Sequence, residues 1–201
     1  MMTMLGRLSR QQDGIAATEF ALVAPVIFTI LFGLLELAWV QSARSALESA
    51  TMKGARLIAA SDCPSQREEI LRNSIVRGMN HVRSSDGKPP TIESKAYGSA
   101  FGDVGEPEPF VDVAPTKNGK YDLGEAYTDV NGNGKWDADM GKSGSVGGAG
   151  NVVSYTVTFR VKSMVPWIAT KFNDGSDYYP IKATTVIRNE PIFRDTGCPS
   201  V

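Results

Sequence analysis

The run Asp129-Val130-Asn131-Gly132-Asn133-Gly134-Lys135-Trp136-Asp137 sets short oxygen-bearing side chains at alternate positions, the spacing of a calcium loop. With Asp129 as the first position, Asn131 is third, Asn133 fifth and Asp137 ninth, while Gly134 at the sixth allows a sharp turn and Lys135 at the seventh offers its carbonyl. Calcium takes about six to eight hard oxygens, and short side chains alternating along one tight turn can converge on a single point. A weaker copy lies fifteen residues upstream, where Asn118 to Glu125 aligns with Asn133 to Met140. The two copies have complementary defects: the later has Met140 where a bidentate glutamate belongs, and the earlier has Glu125 there but Ala114 at its first position. One shared calcium site is expected, with Glu125 or Asp122 completing the sphere of the later loop. The same Asn-Gly pairs also suit hairpin turns with no metal; Asp at both ends of the register favours the cation.

The surrounding charge fits that chemistry. Residues 101 to 140 carry nine acidic side chains against three lysines, although the whole chain has a formal net charge of −1 and a pI near 5.9. Such a balance offers no basic face for phosphate and excludes nucleic acid as a partner class. Enzymatic chemistry has little to stand on. The one histidine, His81, pairs with no serine or cysteine nucleophile, and Gly141-Lys142-Ser143 lacks the glycine of a phosphate loop because Trp136 stands there. The two cysteines, Cys63 and Cys198, read as one disulfide tying the chain's tail to the end of the N-terminal helical region, with two free thiols as the alternative. A loop of that length would contribute roughly 3 to 5 kcal/mol when closed.

These groups need an element to carry them out of the cytoplasm. Arg7 and Arg10 precede an apolar run from Ile15 to Leu35. As a helix, its 21 residues would span about 31 Å, the thickness of a bilayer's hydrocarbon core. The arginines set the N-terminus in the cytoplasm and the bulk of the chain outside. Glu19 is out of place in this run, since a carboxylate in a membrane helix either snorkels from a shallow position or needs a cation. Pro25 removes one backbone donor, which membrane helices tolerate, and Glu36 is expected at the interface without a role.

Gly14, four residues, then Glu19-Phe20 resembles the prepilin peptidase motif of type IV pilin-like proteins. The longer string ATEFALVAPVIFTILFGLLELAWV, followed by SALESATMKGARLIAA, is similar to the TadE-like minor pilins, or pseudopilins, of tight-adherence (Tad or Flp) pilus systems; Val186 to Pro191 resembles that family's closing strand. The resemblance implies cleavage between Gly14 and Ile15. Glu19 then becomes the fifth residue of the mature chain and meets the N-terminal amine of a neighbouring subunit. The insertion resembles the tandem calcium repeats of bacterial surface proteins more than a helix-flanked EF-hand.

The expected organisation is a leader over 1–14, a membrane helix over 15–40 and an extracytoplasmic pilin-like domain over 41–201, with the acidic insertion and linker over 103–150. Leu47, Ala50, Met52, Ala55, Leu57 and Ile58 mark the apolar face of a stalk helix. Ser65 and Glu68 form a capping-box pattern ahead of a second helix reaching Met79, and residues 84–110 read mostly as loop. Val153 to Val161 alternate as a half-buried strand; Tyr179 to Ile187 and Thr91 to Tyr97 are further strands, and GKSGSVGGAG reads as a flexible linker. The fold class is therefore α+β, a long helix laid on an antiparallel sheet. Two functions follow. One is a minor pilin that initiates, caps or anchors an adhesive pilus, in the inner membrane with prepilin peptidase and other pilin subunits as partners. The other is a calcium-stabilised, membrane-anchored surface module that never enters a fibre.

Overall fold

Ala43, Leu47, Ala50, Thr51, Gly54, Ala55 and Ile58 recur three and four residues apart, which keeps them on one side of a helix. In the computed structural model they form the buried stripe on the last turns of α1 (Asp13–Ala59). The structure describes residues 13–61, 63, 66–84, 87–113 and 117–190, with side chains from residue 16 onward. The stripe corrects the expected face at two positions: Met52 and Leu57 are 53% and 59% exposed, because each lies one or two positions round from the buried row. Pro25 does not break α1, which runs through it as one helix. Only a single backbone donor is lost there, and the Thr29 hydroxyl donates to the Pro25 carbonyl at 2.7 Å.

The chain divides into two compact units, one formed by residues 43–162 and 180–201 and the other by 1–42 and 163–179. In the first, α2 (Arg67–Gly78) lies close against the stalk part of α1. A Cβ on Gly78 would come within 2.5 Å of Ala50 Cβ, and one on Gly54 within 2.6 Å of the end of Leu71. The expected cap Ser65 lies outside the described residues; Gln66 holds the N-cap position and its side chain does not cap the helix.

The sheet is four-stranded and antiparallel, in the order β2 (Lys142–Ser143), β1 (Thr91–Ala96), β3 (Val152–Lys162), β4 (Tyr178–Arg188). The expected alternation of β3 holds: Val153, Tyr155, Val157, Phe159 and Val161 are buried while Arg160 is exposed. Phe159 borders a cleft with Ile75 of α2 and Met79 just after it, which joins helix and sheet in one core. The α+β class therefore stands, with β1, β3 and β4 within two residues of the ranges read from the sequence and β2 falling in the segment read as a linker.

The second unit holds the apolar part of α1 and a helix that no sequence pattern announced, α3 (Pro166–Phe172), which begins with proline at its first turn. From residue 16 to residue 35 the α1 side chains are mostly exposed, Leu22 at 80% and Leu34 at 61%. An apolar helix of this length left uncovered is not a soluble core helix; it is long and apolar enough to cross a membrane.

Candidate functional site

In the acidic insertion, Asp129 closes the later loop on itself. Its Oδ1 accepts the Gly132 and Asn133 N–H groups at 2.7 and 3.1 Å, and its Oδ2 accepts Gly134 N–H at 2.8 Å. Gly132 and Gly134 have φ of 76° and 78°, a conformation that costs a side chain but not glycine. The Gly134 N–H, against some desolvation and with help from those of Gly132 and Asn133, holds the Asp129 carboxyl below the usual carboxylate range. Across the loop, the side-chain amides of Asn131 and Asn133 both donate to Asp137 Oδ2, the first at 2.7 Å. Asp129, Asn131, Asn133 and Asp137 are thus drawn into one network, and the Lys135 N–H closes a turn on Asn133 Oδ1 at 2.8 Å.

The earlier loop repeats this scheme. Asp112 accepts Asn118 N–H at 3.3 Å and Gly119 N–H at 2.6 Å; Asn118 Oδ1 accepts Lys120 N–H; Asn118 Nδ2 donates to Asp122 Oδ2 at 3.1 Å. Asp112 therefore does for this loop what Asp129 does for the other. Sequence reasoning gave that position to Ala114, since a fixed offset of fifteen residues holds only for the second half of the repeat. Two additional residues in the earlier loop push its opening aspartate back, so that Asp112-Val113 matches Asp129-Val130 at an offset of seventeen.

Two glutamates cross between the loops. Glu108, fully buried, accepts Val130 N–H (2.8 Å) and Asn131 N–H (3.2 Å) on Oε1 and Asp137 N–H (3.2 Å) on Oε2, all in the later loop. Glu125 accepts Val113 N–H (3.1 Å) and Asp122 N–H (2.9 Å) in the earlier loop. Each glutamate stands two residues before the aromatic partners of an isolated antiparallel bridge, Phe110 and Tyr127, so the halves are related by a local pseudo-twofold axis. Tyr121 and Trp136, equivalent in the two halves, stack with centroids 4.5 Å apart. Glu125 and Asp122, expected to complete the later loop, are thus engaged in the earlier one, and the glutamate that bonds the later loop's N–H groups is Glu108. Among the described residues no three His, Cys, Asp or Glu side chains converge as metal ligands. The donor set is instead two carboxylates and two amides per network in the later loop, and a cation there requires both amides to turn their oxygens inward.

The insertion is fastened to the sheet. Asp139 accepts Lys95 Nζ at 2.6 Å and Tyr97 Oη at 3.3 Å, and its Oδ1 accepts Gly141 N–H. Burial would raise this carboxyl, but Lys95, Gly141 and Tyr97 together hold it below the usual range, while burial and the Asp139 contact push Tyr97 up to about 12. The segment expected to be a flexible linker is held as well. Lys142–Ser143 pairs with β1, Arg67 donates to the Val146 and Gly147 carbonyls, and buried Asn189 donates to those of Val146 and Gly148. Composition reports the glycines but not the carbonyls that distant side chains capture.

At the anchor end, Gly14 and Ile15 lie in the first turn of α1, and Glu19 and Phe20 are exposed, Phe20 at 62%. Glu36, expected to have no role, has a structural one: it is 3% exposed, and its Oε2 accepts Met164 and Val165 N–H at 3.1 and 2.9 Å, just ahead of α3. Tyr179 is raised first by burial and then by the Glu36 charge. Cys63 is buried, while Cys198 lies outside the described residues.

No curated protein and no solved structure matches the chain. The family model described as TadE-like protein matches residues 14–56, from the glycine of the anchor to the stalk, and over that segment the chain is similar to that family.

Proposed function

We propose that the protein is a minor pilin or pseudopilin of a tight-adherence pilus, held in the inner membrane by α1, cut between Gly14 and Ile15 by prepilin peptidase, and joined to other pilin subunits through Glu19 and Phe20. The observation that carries this reading is an uncovered apolar helix with one carboxylate, Glu19, near its start, in the segment that matches the TadE-like model. A lone carboxylate in lipid is a liability that a neighbour's new N-terminal amine would relieve. The role is structural, not catalytic. Mass spectrometry of the chain isolated from cells holding the peptidase should find Ile15 as the first residue. An intact leader there would overturn the pilin reading in favour of a simple anchored surface module.

The acidic insertion is proposed to bind calcium, with Asp129, Asn131, Asn133, Asp137 and the Lys135 carbonyl as ligands of the later loop; the like scheme around Asp112, Asn118 and Asp122 supports a related role for the earlier one. Calcium would lock an insertion whose own core is a small aromatic cluster. Melting of the full chain in detergent should rise at millimolar calcium and fall back with chelator; no shift and no heat of binding would reject the site. A Cys63–Cys198 disulfide is proposed to tie the tail to the end of α1, and peptide mapping without reduction tests it.

A further inference from the structure

The helix α3 is too short to stand alone, and it leaves large apolar side chains exposed. Ile168 and Ala169 are buried, whereas Met164, Trp167 and Phe172 are 62%, 53% and 79% exposed. Two uncovered large side chains on a seven-residue helix, with a third two residues ahead of it, are costly in water. Their position along α1 says what covers them. Ile168, Phe172 and Tyr179 line one cleft with Gly33, Leu37 and Val40, and Glu36 fastens the start of α3 to the same turns. The apolar run ends at Leu35, so at 1.5 Å per residue these turns lie within about 8 Å of that end. The exposed side of α3 is thereby continuous with the exposed side of the anchor.

We propose that α3 is a second membrane element: a wedge that sinks Met164, Trp167 and Phe172 into the boundary between headgroups and acyl chains on the outer face of the bilayer. The occupant of this surface is lipid. Tryptophan favours that boundary, with its ring in the apolar layer and its N–H toward water, and exposed Lys171 on the same helix can reach phosphate with its stem along the apolar layer. Glu36 has the positioning role. Buried and bonded to two backbone N–H groups, it fixes the height of the wedge on α1 while the Glu36 Oε1 remains without a partner. The inference rests on α1 being a membrane anchor.

The test separates the two ideas. The full chain is reconstituted in phosphatidylcholine and phosphatidylglycerol vesicles whose acyl chains carry bromine either near the headgroup or near the chain end. The fluorescence of Trp167 is taken as the difference between the native chain and Trp167→Phe, and a Phe28→Trp change in that variant reports the middle of the anchor. The expected result is that Trp167 is quenched roughly twofold more by shallow than by deep bromine and is shielded from iodide, as a ring at the boundary would be. If the chain floats with the vesicles and the Phe28→Trp probe is quenched by deep bromine, but Trp167 is not quenched by either lipid, the wedge is overturned. Access to iodide would then mean water, and protection from iodide a protein neighbour. If the Phe28→Trp probe also escapes bromine and the chain does not float, the anchor itself has failed.

Discussion

The two halves of the acidic insertion use the same hydrogen bonds to fold loops of unequal length. In the later half, Asp129 gathers three N–H groups across a tight Asn-Gly-Asn-Gly turn; in the earlier, Asp112 gathers two across a span two residues longer. Their closing glutamates differ in the same sense, since Glu108 is fully buried with three donors and Glu125 is 8% exposed with two. A buried carboxylate surrounded by N–H groups is stable only while all of them stay engaged, and each donor left without it is a buried polar group lacking a partner. The later loop should therefore depend more steeply on its glutamate than the earlier one does.

The largest effect expected is that of Glu108→Ala, which orphans three donors in a dry site and should cost about 3 kcal/mol or more. Thermal denaturation, with the emission of Trp136 as local probe, would show it. Should Glu108→Ala melt like the native chain, the contrast between the halves is void. Glu125→Ala, with two donors in a wetter site, should cost about 1 to 2 kcal/mol. The two losses should not add, because both glutamates brace one aromatic stack, and a double-mutant cycle measures the coupling. Asp129→Asn should then lower calcium affinity more than Asp112→Asn does, by about tenfold if one ligating charge is lost from the tighter loop. Calorimetry decides, and equal losses would make the two loops alike as sites. The smallest effect concerns acid. The Asp129 carboxyl titrates below its ordinary value of 3.8 in the folded chain, so its contribution is present above that value and is lost as pH falls through the folded pKa. The Gly134 amide signal in nuclear magnetic resonance should move only in that strongly acidic window.

The anchor, the stalk and the strands were legible because each depends on local periodicity: an unbroken apolar run, a three-and-four spacing, an alternation. Met52 and Leu57 show the limit of that reading, since apolar type alone does not say which of two adjacent helix faces meets the core. The later loop was legible as a spacing of side chains, but its partner Glu108 was not. Glu108 lies twenty-one residues before Asp129, and long-range contacts bring it there: the bridge between Phe110 and Tyr127 and the bonds of its own backbone to Asp137 and Trp136. The recurrence of Glu-x-aromatic-x-Asp-Val at 108 and 125 was the signal that could have revealed the pair. Glu36 and α3 were hidden for a similar reason: 128 residues separate that carboxylate from the N–H of Met164.

The crossing of the two glutamates also bears on how such a segment can change over generations. Each half carries the key to the other's lock, so deletion of either half by recombination strips the survivor of its closing residue. A third copy added at one end would find no free glutamate to exchange. The insertion can be gained, lost or transplanted onto another scaffold only as a complete couple, and a graft intended to move one loop should carry residues 108 to 140 together.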